Sequence, residues 1–224
     1  MIEINDVSKT YLLGKTEVEA LKKVDLKIEK GTFTCLMGPS GSGKSTLLNL
    51  IGCLDSPNSG SILIDGVDIV KLSRKKLADT RANKIGFIFQ AFNLIPVLNV
   101  FENIEFPLFI KKDKLKESEK KERILKLIEE VGLTDFIHHK PDELSGGQRQ
   151  RVAIARAMVT EPDIILADEP TANLDSVTGQ NIISLMQKLK KEENTTFLLA
   201  THEKEITQSA DRLIHLKDGK IIEG

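Results

Sequence analysis

The most informative segment of the chain is "GPSGSGKST", residues 38–46. Its spacing matches the phosphate-binding pattern G-x-x-x-x-G-K-[ST]. The apolar run "TFTCLM" precedes it and the helix-like stretch "KSTLLNLIG" follows it, which is the strand, loop and helix context that the pattern requires. A flexible glycine turn is the plain alternative, but it would explain neither flanking element. The sequence therefore predicts a phosphate loop in an α/β core.

Each residue type in this loop has a physical role. The glycines let backbone N–H groups close around phosphate oxygens at a helix N-terminus. Lys44 reaches the β- and γ-phosphates of a nucleotide, and the Ser45 hydroxyl can ligate Mg²⁺. The predicted nucleotide cradle comprises Gly38, Pro39, Ser40, Gly41, Ser42, Gly43, Lys44, Ser45 and Thr46.

Three further apolar runs end in residues that are capable of chemistry. The run "IILA" ends in Asp168 and Glu169, "FIF" ends in Gln90, and "FLLAT" ends in His202. Ligands bind beyond the carboxyl ends of the strands in an open parallel sheet. If these strands are neighbours of the one before Lys44, all four groups converge on the bound nucleotide.

The roles of these four residues follow from their chemistry. Asp168 suits the Mg²⁺ shell beside Ser45. Glu169 is then the better base for the attacking water, because a carboxylate engaged with Mg²⁺ is a weak base. Gln90 could hold the water or the metal, and His202 could donate to the γ-phosphate. The plain alternatives are cap residues for the two acids and surface residues for the other two.

A second glycine-marked helix entrance lies in "ELSGGQRQRVAIARAM", residues 143–158. Ser145 and Gln148 match a capping box, so a well-capped helix is the plain explanation. It leaves Gly146 and Gly147 unexplained, because each costs about 0.5–1 kcal/mol relative to alanine in a helical turn. Without β-carbons, the first-turn N–H groups can meet a phosphate oxygen. We interpret this entrance as a second anion site, which serves a nucleotide held by another copy of the chain.

The remaining pattern defines the fold class and the domain organisation. The runs "IEINDV", "VDLKI" and "SILIDGVDIV", the last with Asp65 and Gly66 at a hairpin turn, predict an N-terminal antiparallel β subdomain. The four uninterrupted apolar runs favour a parallel sheet that is covered on both faces. Helices are predicted at residues 44–53, 118–131, 145–159 and 177–191. We expect one domain, residues 1–224, with a mostly helical insertion at about residues 92–150 in its core.

Composition narrows the classes of function. With 32 basic and 33 acidic residues, the chain offers no electrostatic surface for nucleic acid. Cys35 and Cys53 lack metal-ligand spacing, so we expect two small core residues in a reducing compartment. No apolar stretch approaches the roughly 20 residues needed to cross a bilayer, and the N-terminus is no signal peptide. We therefore expect a soluble, intracellular protein.

The order of these motifs resembles the ATP-binding cassette family of transporter ATPases along essentially the whole chain. The resemblance rests on "LSGGQ" at residues 144–148, between the phosphate loop and "IILADE", followed by "NLD" and a strand ending in histidine. It implies that two identical chains pair head to tail around two ATP molecules. It also implies that Tyr11 stacks on adenine, Gln90 lies near Mg²⁺, Asp175 lies in a loop that crosses the dimer interface, and His202 is the switch histidine.

Three longer stretches resemble one branch of this family. They are "IGCLDSPNSG", "QAFNLIPVLNVFENIEFPL" and "HHKPDELSGGQ", and they are similar to the ATPases of lipoprotein-releasing, macrolide-exporting and peptide-antibiotic-resistance permeases. This resemblance implies an integral membrane permease as partner, with the chain peripheral on the inner face of the cell membrane. It further implies that the helical insertion after Gln90 transmits closure to the permease.

Two other classes remain as alternatives. One is a soluble cassette protein acting on ribosomes or DNA, but such proteins carry two cassettes, long coiled coils or zinc-binding cysteines. The other is a GTPase or small-molecule kinase; a GTPase needs an N-K-x-D motif, and "NKIG" at Asn83 is not one. Copurification with an integral membrane protein would favour the transporter class over both.

Overall fold

A computed structural model of the chain describes residues 1–111 and 115–223. Residues 112–114, which belong to the predicted helical insertion, and residue 224 lie outside this description. The strands, in chain order, are β1 (Ile2–Leu13), β2 (Thr16–Ile28), β3 (Phe33–Met37), β4 (Ser59–Ile64), β5 (Val67–Asp68), β6 (Ile85–Ile88), β7 (Ile164–Asp168), β8 (Thr196–Thr201), β9 (Arg212–Lys217) and β10 (Lys220–Glu223). The α-helices are α1 (Lys44–Ile51), α2 (Arg74–Lys84), α3 (Val100–Lys111), α4 (Glu117–Glu130), α5 (Gly146–Met158), α6 (Ser176–Glu193) and α7 (Lys204–Thr207).

A six-stranded sheet with the order β10-β9-β3-β8-β7-β6 forms the centre of the fold. Strands β9, β3, β8, β7 and β6 run parallel, and only β10 is antiparallel to its neighbour β9. All six residues of β8 are buried, as expected for a strand covered on both faces. The prediction of a parallel core sheet is confirmed.

The N-terminal antiparallel sheet is also confirmed, with the order β2-β1-β4-β5. The hairpin turn between β4 and β5 lies at Asp65 and Gly66, where both residues have positive φ angles. Alternate residues of β2 are buried near its end, which matches a sheet with one face on the core. The hairpin of β9 and β10 was not predicted, although Asp218-Gly219 between two β-rich runs is the signal that could have revealed it.

Helices cover both faces of the central sheet. On one face, Cys35, Ile165 and Leu199 share a core with α3, α4, α5 and α6. On the other, Leu166 and Leu198 pack with α1 and the antiparallel sheet, in the core that contains Cys53.

Burial raises the pKa of the Cys35 thiol to about 12 and that of Cys53 to about 11, and neither cysteine is in a disulfide. Both cysteines are core residues, as predicted.

The four predicted helices correspond to α1, α4, α5 and α6 within two residues at each end. Helix α2 was not predicted because none of its residues is buried, so its sequence carries no apolar periodicity. Between β6 and β7, the described residues form the helices α3, α4 and α5 and two short helical turns at Thr134–Phe136 and Pro141–Glu143. None of these residues forms a strand. Helix α5 continues to Met158, so the expected limit near residue 150 falls inside a helix. The division into one domain with an insertion stays a prediction.

None of the helices within residues 1–111 and 115–223 is both long and apolar enough to cross a membrane.

Candidate active site

The strand order brings the predicted site residues to one edge of the central sheet. Strands β3, β8, β7 and β6 are consecutive neighbours and run parallel. Their carboxyl ends lead to the phosphate loop, His202, the acidic pair and Gln90. The strand before His202 lies between the strand of the phosphate loop and the strand of Asp168 and Glu169.

A cavity of about 500 Å³ opens at this edge. Ser40, Gly41, Gly43, Lys44, Ser45 and Thr46 line it from the phosphate loop, and Gln90, Glu169 and His202 line it from the neighbouring strands. Val18, Glu19, Ala20, Lys22, Asp218 and Gly219 complete the lining. The sequence did not reveal these last six, because only the folding of β2 and of the terminal hairpin against the loop brings them there.

The phosphate loop depends on its glycines at two close contacts. Gly43 has a φ of 106°, and a β-carbon there would lie 2.5 Å from the carbonyl oxygen of Ala20. A β-carbon on Gly38 would lie 2.1 Å from the carbonyl oxygen of Leu216. Helix α1 begins within the loop, at Lys44, and no side chain within the described chain caps its N-terminus. These first-turn N–H groups are therefore suited to an anionic ligand.

Lys44 is buried at the base of this cavity. Its ammonium group donates to the carbonyl oxygens of Gly38 at 2.7 Å and Pro39 at 3.2 Å. Its third neighbour is the Glu169 carboxylate, with 3.4 Å between Nζ and Oε1. Gly38 and Pro39 thus hold the Lys44 ammonium group through their carbonyl oxygens and do not line the cavity. Ser42, within the loop, is buried.

Glu169 occupies a strained position at the end of β7. Its φ is 47°, a left-handed conformation that is costly for a residue with a β-carbon. Its N–H donates to the carbonyl oxygen of Ala200 at 2.9 Å. Its Oε2 lies 2.9 Å from Nδ1 of His202, and 13% of its side chain is exposed against 58% for His202. The carboxylate therefore faces the cavity from a fixed backbone.

Asp168 has the surroundings of a cation ligand. Its Oδ1 is buried and has no hydrogen-bond partner in the part of the chain that the structure describes. Burial raises the pKa of the carboxyl, while the neighbouring Ser45 hydroxyl and Lys44 ammonium oppose this rise. A carboxylate oxygen without a partner next to a hydroxyl is the kind of donor set that a hard divalent cation such as Mg²⁺ accepts.

Gln90 lies two residues beyond the end of β6 and lines the cavity. Its carbonyl oxygen accepts a hydrogen bond from the side chain of Asn173 at 2.7 Å. Gln90 belongs to the loop between β6 and α3, residues 89–99, which we call the Gln90 loop. The hydrogen bond from Asn173 connects the Gln90 loop to the segment that precedes α6.

Tyr11 is placed next to the loop but outside the cavity lining. Its hydroxyl donates to Oδ2 of Asp55 at 2.8 Å, and the Lys9 ammonium lies 4.9 Å from the centre of its ring. Burial and the bond to Asp55 raise the pKa of Tyr11, whereas the Thr46 hydroxyl lowers it. Lys9 and Asp55 therefore hold the ring beside the phosphate loop. Its predicted stacking on a base stays a prediction.

The second glycine-marked entrance forms the expected capping box. Ser145 N–H donates to Oε1 of Gln148 at 2.8 Å, and Gln148 N–H donates to Oγ of Ser145 at 3.2 Å. No residue of 145–148 lines the cavity of the phosphate loop. Within one chain, the two glycine-rich entrances therefore do not share a site.

Packing inside the chain supplies a reason for Gly147 that the sequence could not show. A β-carbon on Gly147 would lie 2.6 Å from the methyl group of Thr178, and one on Gly146 would lie 3.3 Å from Cδ2 of Leu174. An anion alone, as expected from the sequence, does not account for Gly147, because the N-terminus of α5 approaches the start of α6 too closely for a side chain at position 147.

Asp175 caps α6. Its Oδ1 accepts from the N–H of Thr178 at 3.0 Å, and the Thr178 hydroxyl and N–H lower the pKa of this exposed carboxyl. The structure of one chain thus gives Asp175 a capping role, and its predicted place at a dimer interface stays a prediction.

The ABC transporter family model matches residues 21–172. The chain belongs to the ABC transporter family. It is 48% identical over 223 residues to the uncharacterized ABC transporter ATP-binding protein MJ0796 of Methanocaldococcus jannaschii, covering 99% of this chain and 95% of that one. It is also 47% identical over 221 residues to the macrolide export ATP-binding/permease protein MacB of Bdellovibrio bacteriovorus, of which the match covers 33%.

Solved structures of ATP-binding cassettes also match this chain. A dimeric structure of MJ0796 in a post-hydrolysis state, bound to ADP and Pi, matches this ABC ATPase with a TM-score of 0.92 and 46% identity over 100% of this chain and 97% of that chain. The predictions of the fold, of ATP binding and of ATP hydrolysis are confirmed. No comparison supports a function on ribosomes or DNA. The roles of individual residues stay predictions.

Proposed function

We propose that this ABC ATPase powers an integral membrane permease of the lipoprotein-release, macrolide-export or peptide-export type. It does so as one of two identical chains that pair head to tail around ATP, on the cytoplasmic face of the membrane. Support comes from the MacB relative, whose name joins an ATP-binding part to a permease, and from the dimeric structure of MJ0796. The observation that carries the hydrolytic part of the proposal is the placement of Glu169 between Lys44 and His202 at one cavity.

The phosphate loop and the strand ends divide the work of hydrolysis. Lys44 exchanges its contact with Glu169 for the β- and γ-phosphates, which releases the carboxylate to accept the proton of the attacking water. His202, whose Nδ1 lies 2.9 Å from Oε2 of Glu169, donates to the γ-phosphate. Ser45, Asp168 and Gln90 would hold Mg²⁺. When bound, this ion neutralises charge on the phosphate oxygens.

The entrance at 145–148 serves the nucleotide of the partner chain. Ser145 and the N-terminus of α5 present a hydroxyl and N–H groups that lie outside the cavity of their own chain. An anion bound there by a second copy would bring two chains together around each ATP. Asp175, exposed at the start of α6, lies in the same part of the surface as this entrance. It accepts a hydrogen bond from the N–H of Thr178, and the methyl group of Thr178 lies against Gly147.

The permease docks in an apolar groove between α2, α3 and the loop of Gln90. This groove has a volume of about 350 Å³, and Phe87, Phe89, Phe106, Pro107 and Ile110 line it. Phe109, which is 61% exposed, lies beside them on α3. An exposed aromatic cluster of this kind favours a protein partner. Its contact with the Gln90 loop offers a path from the permease to the nucleotide.

Affinity capture of the tagged chain from detergent-solubilised membranes of its own cells tests this function. We expect one integral membrane protein to be retained by the parent chain and lost in Phe106→Asp, which places a charge in the groove. Leu125→Asp, at a partly exposed position on α4, is the matched control and should retain the membrane protein. Capture of ribosomal or DNA-bound proteins by the parent chain, without a membrane protein, would contradict the proposal.

A further inference from the structure

Two consecutive residues of the Gln90 loop are held in an unfavourable conformation. Phe92 has a φ of 60° and Asn93 a φ of 51°. Left-handed conformations cost roughly 1–2 kcal/mol each in residues that carry a β-carbon, with asparagine the more tolerant type. Such a turn persists only where its surroundings hold it.

Arg156 of α5 provides the restraint. Its Nη1 donates to the carbonyl oxygen of Asn93 at 2.5 Å, and its Nη2 donates to that of Phe92 at 2.7 Å. The planar guanidinium thus bridges the two strained residues with both arms of its fork. Burial lowers the pKa of Arg156. A partly buried guanidinium that donates to two carbonyl oxygens gives up part of its hydration to hold them.

Two more contacts restrain the same loop. The Arg149 guanidinium, also on α5, lies 5.1 Å from the centre of the Phe92 ring. The Asn173 side chain donates to the carbonyl oxygen of Gln90. Helix α5 therefore has Ser145 at its N-terminus and contacts the Gln90 loop through the side chains of Arg149 and Arg156 further along its length.

We propose that Arg156 is a positioning residue for ATP hydrolysis, which holds the Phe92–Asn93 turn so that Gln90 keeps its place at the nucleotide cavity. Helix α5 and the Gln90 loop then move as one body when a second chain engages Ser145. This inference rests on the role proposed above for Gln90. A positioning role differs from a purely structural role, because the effect of Arg156 on turnover then depends on the presence of the Gln90 side chain.

A double-mutant cycle separates the two roles. Arg156→Lys keeps the charge but replaces the fork with a single ammonium group, which cannot span both carbonyl oxygens in the same geometry. We expect kcat to fall about tenfold, as for loss of one charged hydrogen bond, with the KM for ATP within about twofold of the parent. We also expect a higher Mg²⁺ concentration for half-maximal activity. In a Gln90→Ala background, Arg156→Lys should lower kcat no further.

Arg151→Lys is the matched control. Arg151 lies on the same helix and also donates to a carbonyl oxygen, that of Val131 at 2.9 Å, but it does not contact the Gln90 loop. Its substitution should leave the Mg²⁺ dependence unchanged in both backgrounds. Hydrogen exchange of residues 90–95 should be faster in Arg156→Lys and unchanged in Arg151→Lys.

The outcomes distinguish this inference from the proposed function. If Gln90→Ala lowers kcat and Arg156→Lys lowers it again by the same factor, or if hydrogen exchange of residues 90–95 is unchanged, the positioning role is wrong and the role of Gln90 stands. If Gln90→Ala leaves kcat unaffected, both are wrong. Should Arg156→Lys fail to fold, Asn173→Ala removes the bond to the Gln90 carbonyl and must show the same lack of additivity.

Discussion

One carboxylate, that of Glu169, joins Lys44 and His202. Its Oε1 lies 3.4 Å from Nζ of Lys44 and its Oε2 lies 2.9 Å from Nδ1 of His202. These three side chains come from the ends of three different strands or their loops. A left-handed backbone at Glu169 aims the carboxylate into the cavity, and strain of this kind concentrates at functional sites.

Glu169→Gln tests the base. The amide keeps the size and a hydrogen bond to His202 but cannot accept the proton of the attacking water. We expect ATP hydrolysis to slow by roughly 10²–10⁴, the usual range for loss of a general base, while ATP binding is retained. Steady-state turnover and equilibrium nucleotide binding measure the two quantities. Turnover within a few-fold of the parent would assign the base to another residue.

Ser145→Asp tests the second anion site. Aspartate and asparagine both cap a helix about as well as serine, so α5 is preserved in either variant. Only the aspartate repels a phosphate group of the partner's nucleotide. In a Glu169→Gln background with Mg-ATP, we expect Ser145→Asp to remain monomeric in gel filtration and Ser145→Asn to retain most of the dimer. Equal dimerisation of the two variants would place Ser145 away from the phosphates.

Gly147→Ala tests the packing of α5 on α6. The new β-carbon would lie 2.6 Å from the Thr178 methyl group, so we expect the free energy of unfolding to fall by about 1–3 kcal/mol. Thr178→Ser removes that methyl group but keeps the hydroxyl near Asp175, and the double variant should recover most of the loss. Urea denaturation without nucleotide measures this effect in the single chain. Additive losses in the double variant would contradict this explanation of Gly147.

Protonation of Asp65 makes the free energy of unfolding depend on pH in the acid range. Its hydrogen bonds with Lys84 and the N-terminal amino group lower its pKa to about 2. Because this folded pKa is below the unfolded value near 4, the stabilisation is complete above about pH 4 and is lost as the pH falls through about 2. About two fifths of the side chain is exposed (39%), so screening limits the contribution to about 1 kcal/mol.

Asp65→Asn removes this dependence and tolerates the left-handed turn. We expect the variant to be less stable than the parent at pH 6 and nearly as stable at pH 2, as measured by thermal unfolding. Asp135→Asn, at an exposed aspartate, is the control. The same difference between Asp65→Asn and the parent at both pH values would show that the ion pairs do not act through this carboxyl.

Local patterns in the sequence identified the elements whose residues carry their own signal. The phosphate loop, the strands that end at Asp168, Gln90 and His202, and helices α1, α4, α5 and α6 all combine a periodic apolar pattern with a characteristic residue at one end. Helix α2 has no buried face and the β9–β10 hairpin is short, so neither carries a strong periodic pattern. The capping box at Ser145 and Gln148 was likewise readable, because it involves residues three apart.

Residue types and their spacing along the chain were enough to identify the family and to predict the chemistry of the strand-end residues and the parallel core. They did not reveal that β8 lies between β3 and β7, that Thr178 excludes a side chain at Gly147, or that Arg156 donates to the carbonyl oxygens of Phe92 and Asn93. These contacts join residues 31 to 164 positions apart and depend on how packed elements approach one another, which no spacing along the chain encodes.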